Sequence, residues 1–246
     1  MRGERLDKLL VQRGLVPSRE KARALIMAGK VLVDGRVGRK ASELVPPEAD
    51  LRIKEGLPYV SRGGIKLSRA LDHFGIRVEG KVAMDVGAST GGFTDCLLKR
   101  GAKRVYAVDV GYGQLAWELQ KDPRVVNLQR RNIRYLSEEE VGEKVDLATI
   151  DTSFISLKIV IPATVRFLRP GGEIIALIKP QFEVGKGKVG KGGVVRDPEL
   201  HREVIEEIWG FCLQIGLSPQ GVVESPLLGP KGNREFFIYI LVPQDG

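Results

Sequence analysis

No apolar run among the 246 residues approaches the roughly 20 that a membrane-crossing helix needs, so no membrane partner is expected. The N-terminal MRGERLDKLL carries charge where an export signal would be apolar, so no export is expected either. Cysteine is nearly absent. Cys96 and Cys212 are the two, both set in apolar helical patterns, which suits buried free thiols in a reducing cytoplasm. Two nucleotide signatures are also missing. A dinucleotide turn needs G-x-G-x-x-G directly after a strand, and the chain has Gly87-Ala88-Ser89-Thr90-Gly91-Gly92 there instead. Gly111-Tyr112-Gly113, with Ala116 in last place, imitates part of that turn, but its acid precedes it and no carboxylate follows at the required distance, so an oxidoreductase is disfavoured. Residues 185–193 partly spell G-x-x-x-x-G-K, but Gly192 stands where magnesium requires Ser or Thr, so no NTPase is expected. No metal site is expected.

What the chain does contain is an ordinary soluble composition, 43% hydrophobic and 28% charged. Its length allows one sizeable α/β domain and a small one. The net charge of +8 favours an acidic partner, and it is unevenly spread. Residues 1–54 hold 13 Lys and Arg against seven Asp and Glu, so a polyanion meets that end first. A solvated basic face without a partner would show the same charge.

The stretch Lys81–Asp95, KVAMDVGASTGGFTD, organises the rest. Val82, Met84 and Val86 make a short buried strand in which Asp85 sits, and Gly87, Gly91 and Gly92 let the backbone turn sharply and approach a ligand before a helix begins. Three glycines in one turn exceed what packing requires, which favours a small-molecule site over a plain strand-to-helix connection.

The N-terminal segment reads as two helices and a hairpin. Leu6, Leu9 and Leu10 fall at helical spacing and Gly14 closes that helix. Ser18 caps the next, Ala22, Leu25 and Ile26 line its inner face, and Gly29 ends it. Val31-Leu32-Val33 and Val37 then flank Asp34-Gly35, a dipeptide suited to a tight hairpin turn. A linker is expected at 55–64, dividing a domain at 1–54 from one at 65–246. Ile65 to Phe74 is predicted helical with Leu67, Leu71 and Phe74 on one face, which puts Lys66 at the helix start, read from sequence alone as solvated. His73 reads as an ordinary surface or partly buried histidine. Strands then alternate with helices. Arg104–Asp109 ends in an acid placed to accept hydrogen bonds from a ribose diol. Val125–Leu128 is followed by Asn132 and Ile133, by position a loop Asn and an exposed Ile. Val145–Ile150 ends at Asp151-Thr152-Ser153-Phe154, and Ile174–Ile178 delivers Lys179. An ammonium ending a fully apolar run needs a partner, because burying it alone is costly. Glu235 opens the last strand, Phe236–Leu241.

The first segment, with RLDKLL and SREKARALIMAGKVLVDG, resembles the S4 RNA-binding module. That resemblance implies that Arg5, Arg19, Lys21, Arg23 and Lys30 contact structured RNA, chiefly its phosphates. The D-x-G-x-x-x-G-G turn resembles that of class I S-adenosylmethionine-dependent methyltransferases, which implies a Rossmann-like, mostly parallel seven-stranded α/β sheet beside a small α+β domain. It implies a cofactor site of Asp85, Gly87, Ala88, Ser89, Gly91, Gly92, Phe93, Asp109 and Asp151, with Asn132 and Ile133 at the adenine. Lys66, Asp151, Lys179 and Glu235 fall in the order of the K-D-K-E tetrad of FtsJ-type ribose 2′-O-methyltransferases. With YVSRGGIKL, IDTSFISL, IKPQFE and GNREFF, the whole chain resembles the hemolysin A (TlyA) family of ribosomal RNA (cytidine-2′-O)-methyltransferases.

The resemblance thus implies methyl transfer to a ribose hydroxyl of ribosomal RNA, with ribosomal subunits as partners. Lys179 meets the hydroxyl, either as base or as stabiliser of an alkoxide, with Asp151 and Glu235 orienting it and Lys66 completing the charge pattern. Lys186, Lys188 and Lys191 lie in a glycine-rich loop that reads either as an RNA clamp or as simple disorder. A monomer is expected. The competing readings are a non-catalytic RNA-binding or ribosome-assembly factor, which would not bind the cofactor, and a membrane-active hemolysin, which the apolar pattern does not support.

Overall fold

The computed structural model describes residues 3–54, 57–185 and 187–244. Its internal contacts divide the chain into two units, Met1–Leu57 and Pro58–Gly246.

In the first unit β1 (Glu4–Arg5) leads into α1 (Leu6–Gln12), followed by α2 (Arg19–Met27), β2 (Val31–Val33), β3 (Arg36–Val37), β4 (Leu44–Val45) and β5 (Leu51–Ile53). Ser18 caps α2 by accepting from the Lys21 amide. Asp34 and Gly35 both take positive φ, 48° and 78°, so the chain reverses in two residues and β2 pairs with β3. The strands order β3-β2-β5, and Leu6, Leu10, Ala22, Ile26, Val31 and Val33 form one core between helices and sheet.

The second unit opens with α3 (Arg62–Phe74). The helix therefore starts inside the stretch read from sequence as linker, because Ser61 caps it by accepting from the Gly63 amide, and Gly63 and Gly64 serve as its first turn. Glu55 and Gly56 of that stretch lie outside the described residues. The chain continues through β6 (Val82–Val86), α4 (Gly92–Lys99), β7 (Arg104–Asp109), α5 (Trp117–Gln120), β8 (Val125–Gln129), α6 (Glu138–Val141), β9 (Val145–Ile150), α7 (Leu157–Val165), β10 (Leu168–Ile178), α8 (Pro180–Glu183), α9 (Pro198–Gln214), β11 (Ser218–Glu224) and β12 (Phe236–Leu241).

Seven of these strands form one sheet in the order β11-β12-β10-β9-β6-β7-β8. The five from β10 to β8 are parallel, and β12 runs antiparallel between β10 and β11. Both faces are covered, as a parallel sheet requires. Met84, Val86, Ile174 and Ile178 face one core, while Ala83, Ile175 and Leu177 alternate into the other with Leu67, Leu71 and Leu97 of the helices. β10 is longer than its apolar run. It takes in Pro170, Gly171 and Gly172 through a bulge between Leu168 and Glu173, with Gly171 at φ 73°. Cys96 and Cys212 are free and buried.

Candidate active site

Strand order reverses between β6 and β9, and at such a reversal the carboxyl ends of the strands splay apart to leave a crevice. Gly87 follows β6, Asp151 follows β9, and Lys179 follows β10 at this edge. Glu235 reaches the same edge from the opposite direction. It precedes the antiparallel β12, whose Phe236 pairs with Ile178, the residue before Lys179. Lys66, in the second turn of α3, completes the group. All four side chains of the sequence-derived tetrad line one cavity of about 390 Å³, together with Gly87, Ala88, Ser89, Gly92 and Phe93.

Within the cavity the charges are paired differently from the sequence expectation. Lys179 Nζ lies 2.6 Å from Asp151 Oδ1 and donates to Ser153 Oγ at 3.0 Å. Glu235 does not orient Lys179; its Oε2 accepts from Lys66 Nζ at 2.6 Å. Lys66 is not the solvated residue its sequence position suggested. It is 9% exposed because α3 begins earlier and turns this side chain inward, and Glu235 is 1% exposed. Taking either charge out of water alone would be costly, so each depends on the other. Glu235 Oε1 is buried without a hydrogen-bond partner, an acceptor left over at the cavity wall.

The glycine turn is shaped for close approach. Gly87 has φ 85°, and a Cβ there would stand 2.5 Å from the Asp151 carbonyl oxygen, so only glycine lets the ends of β6 and β9 come this near. Gly91 has φ 95°, and a Cβ on it would collide with Leu115 and Leu119; one on Gly92 would collide with Ser61. Asp109 closes the next strand. Its Oδ2 accepts from the Ser89 amide and its Oδ1 from the Gly111 amide, both at 2.7 Å, which holds the carboxylate in one orientation beside the turn.

Five of the sequence-derived cofactor residues do not line the cavity: Gly91 and Asp109, described above, and Asp85, Asn132 and Ile133. Asp85 is fully buried beneath the turn, where Thr94 Oγ1 donates to Oδ2 at 2.7 Å and Thr149 Oγ1 to Oδ1 at 3.3 Å. Burial raises its pKa to about 7, and the nearby Asp151 charge pushes the same way against the hydrogen bonds from Thr94. Ile133, expected to be exposed, is 5% exposed and packs into the core beside Leu136. Asn132 turns its Oδ1 back to accept from the Arg134 amide. The wall also includes residues the sequence reading passed over: Ser61, Arg62 and Gly63 at the start of α3, Thr90, and the Leu228–Lys231 segment. The cap signal at Ser61 was visible in YVSRGG; the Leu228–Lys231 segment carried no pattern of its own.

Of the candidate RNA contacts, three arginines converge on one acid. Arg5 at 3.0 Å, Arg19 at 2.8 Å and Arg23 at 3.4 Å surround Asp7, which is 0% exposed. The Arg5 hydrogen bond chiefly, with help from Arg19 and against burial, holds the Asp7 carboxyl well below the usual carboxylate range. Lys21 and Lys30 are exposed. In the glycine-rich loop Lys188 pairs with Glu203 at 3.0 Å, Lys191 is exposed on a turn closed by the Gly190–Val194 bridge, and Lys186 lies outside the described residues.

A seven-stranded sheet of this order, with a glycine turn at its reversal point, defines a Rossmann-like methyltransferase. More narrowly, the chain belongs to the FtsJ-like methyltransferase family, which matches residues 59–240, and carries an S4 domain at residues 4–51. It is 48% identical over 246 residues to the 16S/23S rRNA (cytidine-2′-O)-methyltransferase TlyA of Mycobacterium tuberculosis, covering 99% of this chain and 92% of that one. It is 39% identical over 240 residues to a protein named Hemolysin A from Brachyspira hyodysenteriae, covering 97% and 100%. A solved structure from Streptococcus thermophilus that carries a hemolysin name matches at TM-score 0.75 and 42% identity, covering 100% of this chain and 91% of that one.

Proposed function

We propose that the protein transfers the methyl group of S-adenosylmethionine to the 2′-hydroxyl of a cytidine in ribosomal RNA, within ribosomal subunits of the cytoplasm. The observation that carries this reading is the meeting of Lys66, Asp151, Lys179 and Glu235 in one cavity with the glycine turn. Relatives that match nearly the whole chain point the same way, since one is a ribosomal RNA (cytidine-2′-O)-methyltransferase.

The residues present fit the cofactor. The wall formed by Gly87, Ala88 and Ser89 carries only small residues, with Gly87 letting the ends of β6 and β9 close up behind it, and Asp109, held by two backbone amides, keeps further lone pairs for a ribose diol. When bound, S-adenosylmethionine supplies an electrophilic methyl carried on a sulfonium. Asp85 supports the turn from below through Thr94 and does not touch the ligand. Asn132 and Ile133 are assigned to the loop flanking the adenine end.

The chain's own part in the reaction is to place the hydroxyl and hold its charge as the proton leaves. An ammonium has three N–H donors. Lys179 donates one to Ser153 Oγ and is ion-paired with Asp151 Oδ1 at 2.6 Å, so a donor remains for the 2′-oxygen, which gives it the role of stabilising developing negative charge. Transfer would form the C–O bond as the methyl–sulfur bond breaks, its electron pair returning to a neutral thioether, and the hydroxyl proton would pass to water, since Lys179 acts here as a donor and not as the base. Lys66, locked to Glu235, holds a second cation at the wall. Pre-positioning of this kind contributes about 7–11 kcal/mol to such reactions.

The N-terminal unit anchors the RNA. Asp7 fixes Arg5, Arg19 and Arg23 as one cationic cluster whose remaining N–H donors suit phosphate oxygens, with Lys21 and Lys30 adding charge. Lys186, Lys188 and Lys191 extend the same role to the catalytic unit. A non-catalytic RNA-binding factor would need none of the cavity chemistry, and among the described residues no helix is long and apolar enough to cross a membrane. Incubating the protein with radiolabelled S-adenosylmethionine and unmethylated ribosomal subunits tests the reading: label enters ribosomal RNA if it holds, and cofactor binding without incorporation contradicts it.

A further inference from the structure

A second cavity of about 270 Å³ adjoins the first and shares Lys179, Pro230 and Lys231 with it. Its walls are largely apolar, with Phe154 and Phe182 side by side at 4.8 Å between ring centroids. Phe154 is 90% exposed and its backbone takes φ 64°, a left-handed conformation in which a bulky residue is rarely found. Such strain is retained where a side chain has to be presented in one direction, and here it turns an aromatic face outward next to Ser153, the hydroxyl that accepts from Lys179.

The same wall contains two side-chain amides with opposite circumstances. Asn233 is fully engaged. Its Nδ2 donates to the carbonyls of Gly193 and Pro230, and its Oδ1 accepts from the Val195 amide. Gln181 Oε1 is buried and accepts from nothing among the described residues. A buried acceptor left unpaired is destabilising, so its retention beside a reaction site points to a ligand donor. Gln181 also stands on an anchored element: the Glu183 carboxylate of α8 accepts from the Leu157 amide and from Ser156 Oγ, pinning α8 to the start of α7.

We propose that this second cavity receives the base of the target nucleotide, and that Gln181 Oε1 reads the exocyclic amine of cytosine. The inference rests on the function proposed above. A ribose whose 2′-oxygen meets Lys179 projects its base across the shared wall, into the space where Phe154 and Phe182 offer a stacking surface. There the N4 amine of cytosine donates to the unpaired Gln181 carbonyl. Uracil places its O4 carbonyl at the same point, acceptor against acceptor, and pairs there only if the Gln181 amide turns over to present its NH2. Stacking tolerates either base, so Gln181 is the specificity-determining residue and Phe154 contributes affinity. A site built to hydrogen-bond one group rejects the analogue that cannot supply it.

The test uses the full chain and ribosomal RNA substrates that differ only in C or U at the mapped target position. Wild-type protein should prefer cytidine by about 10²-fold or more in kcat/KM, the size of discrimination one buried hydrogen bond supports. Gln181→Leu should cut that preference at least about tenfold while cofactor binding by calorimetry stays unchanged. Gln181→Glu, which keeps an acceptor, should retain the preference and controls for loss of folding. Phe154→Ala, at an exposed position, should raise KM for both substrates alike. A Gln181→Leu protein with the wild-type C-to-U ratio, or a Phe154→Ala protein with unchanged KM, overturns the inference while leaving the methyltransferase reading intact. A wild-type protein that methylates neither substrate overturns that reading, and this inference with it.

Discussion

Lys66 and Glu235, 169 positions apart in the chain, form a buried ion pair at 2.6 Å on the wall of the reaction cavity. Because Glu235 is 1% exposed, removing the ammonium leaves a carboxylate with neither solvent nor partner. Lys66→Ala is expected to cost about 3–5 kcal/mol in stability, and the double variant Lys66→Met/Glu235→Gln to recover most of it. Urea unfolding of the single and double variants checks this, and additive losses would show that the pair is not coupled.

Gly87→Ala tests the turn. The added Cβ would meet the Asp151 carbonyl at 2.5 Å in a backbone at φ 85°, so β6 and β9 must separate at the cofactor cradle. Strain of this kind is worth about 1–3 kcal/mol, so S-adenosylmethionine affinity should fall about 5- to 140-fold by calorimetry while the far-ultraviolet circular dichroism stays native.

Asp85 makes stability depend on pH in an unusual direction for a carboxylate. Its folded pKa is raised, from 3.8 to about 7, by burial first and by Asp151 second. The unfolded chain gives up the proton before the folded one does. Its contribution is therefore fully present below about pH 4, declines as pH rises, and is lost above about pH 7. Asp85→Asn removes this ionisation, so the gap in Tm between variant and wild type should widen across that window and level off above it. A gap independent of pH would place the titration elsewhere.

The lines of the reaction cavity were legible in the sequence where chemistry and local pattern coincide. An apolar run that ends in Lys179, a strand that ends in Asp151 and a turn with three glycines each mark the carboxyl edge of a parallel sheet. Pairing was not legible, because it depends on strand direction and helix rotation. Glu235 reaches Lys66 only because β12 is antiparallel, and Lys66 points inward only because Ser61 starts α3 at Arg62. Ile133 misled for a related reason: a loop position next to a polar Asn gives no sign that the side chain folds under into the core. Arg5, Arg19 and Arg23 read as separate surface charges, and their common attachment to Asp7 appears only when α1 and α2 pack.

That attachment has a measurable consequence in the N-terminal unit. The Asp7 pKa is depressed in the folded state, so its stabilising contribution is present above the ordinary carboxylate value of 3.8 and lost as pH falls further. Arg19→Ala should weaken RNA binding similarly for different RNA sequences and reduce the slope of log K against log salt by about 1. An unchanged salt slope would remove Arg19 from the phosphate contacts.

The most direct test of the central claim is nucleotide-resolution mapping of 2′-O-methylation in ribosomal RNA after incubation with S-adenosylmethionine, for wild-type protein and Lys179→Ala in parallel. The account predicts methylation at a defined cytidine ribose with the wild type, and a loss of about 10²–10⁴-fold in single-turnover rate with the variant, its cofactor and RNA affinities preserved. Near-normal turnover by Lys179→Ala, or a methyl group on a base instead of a ribose, would contradict it.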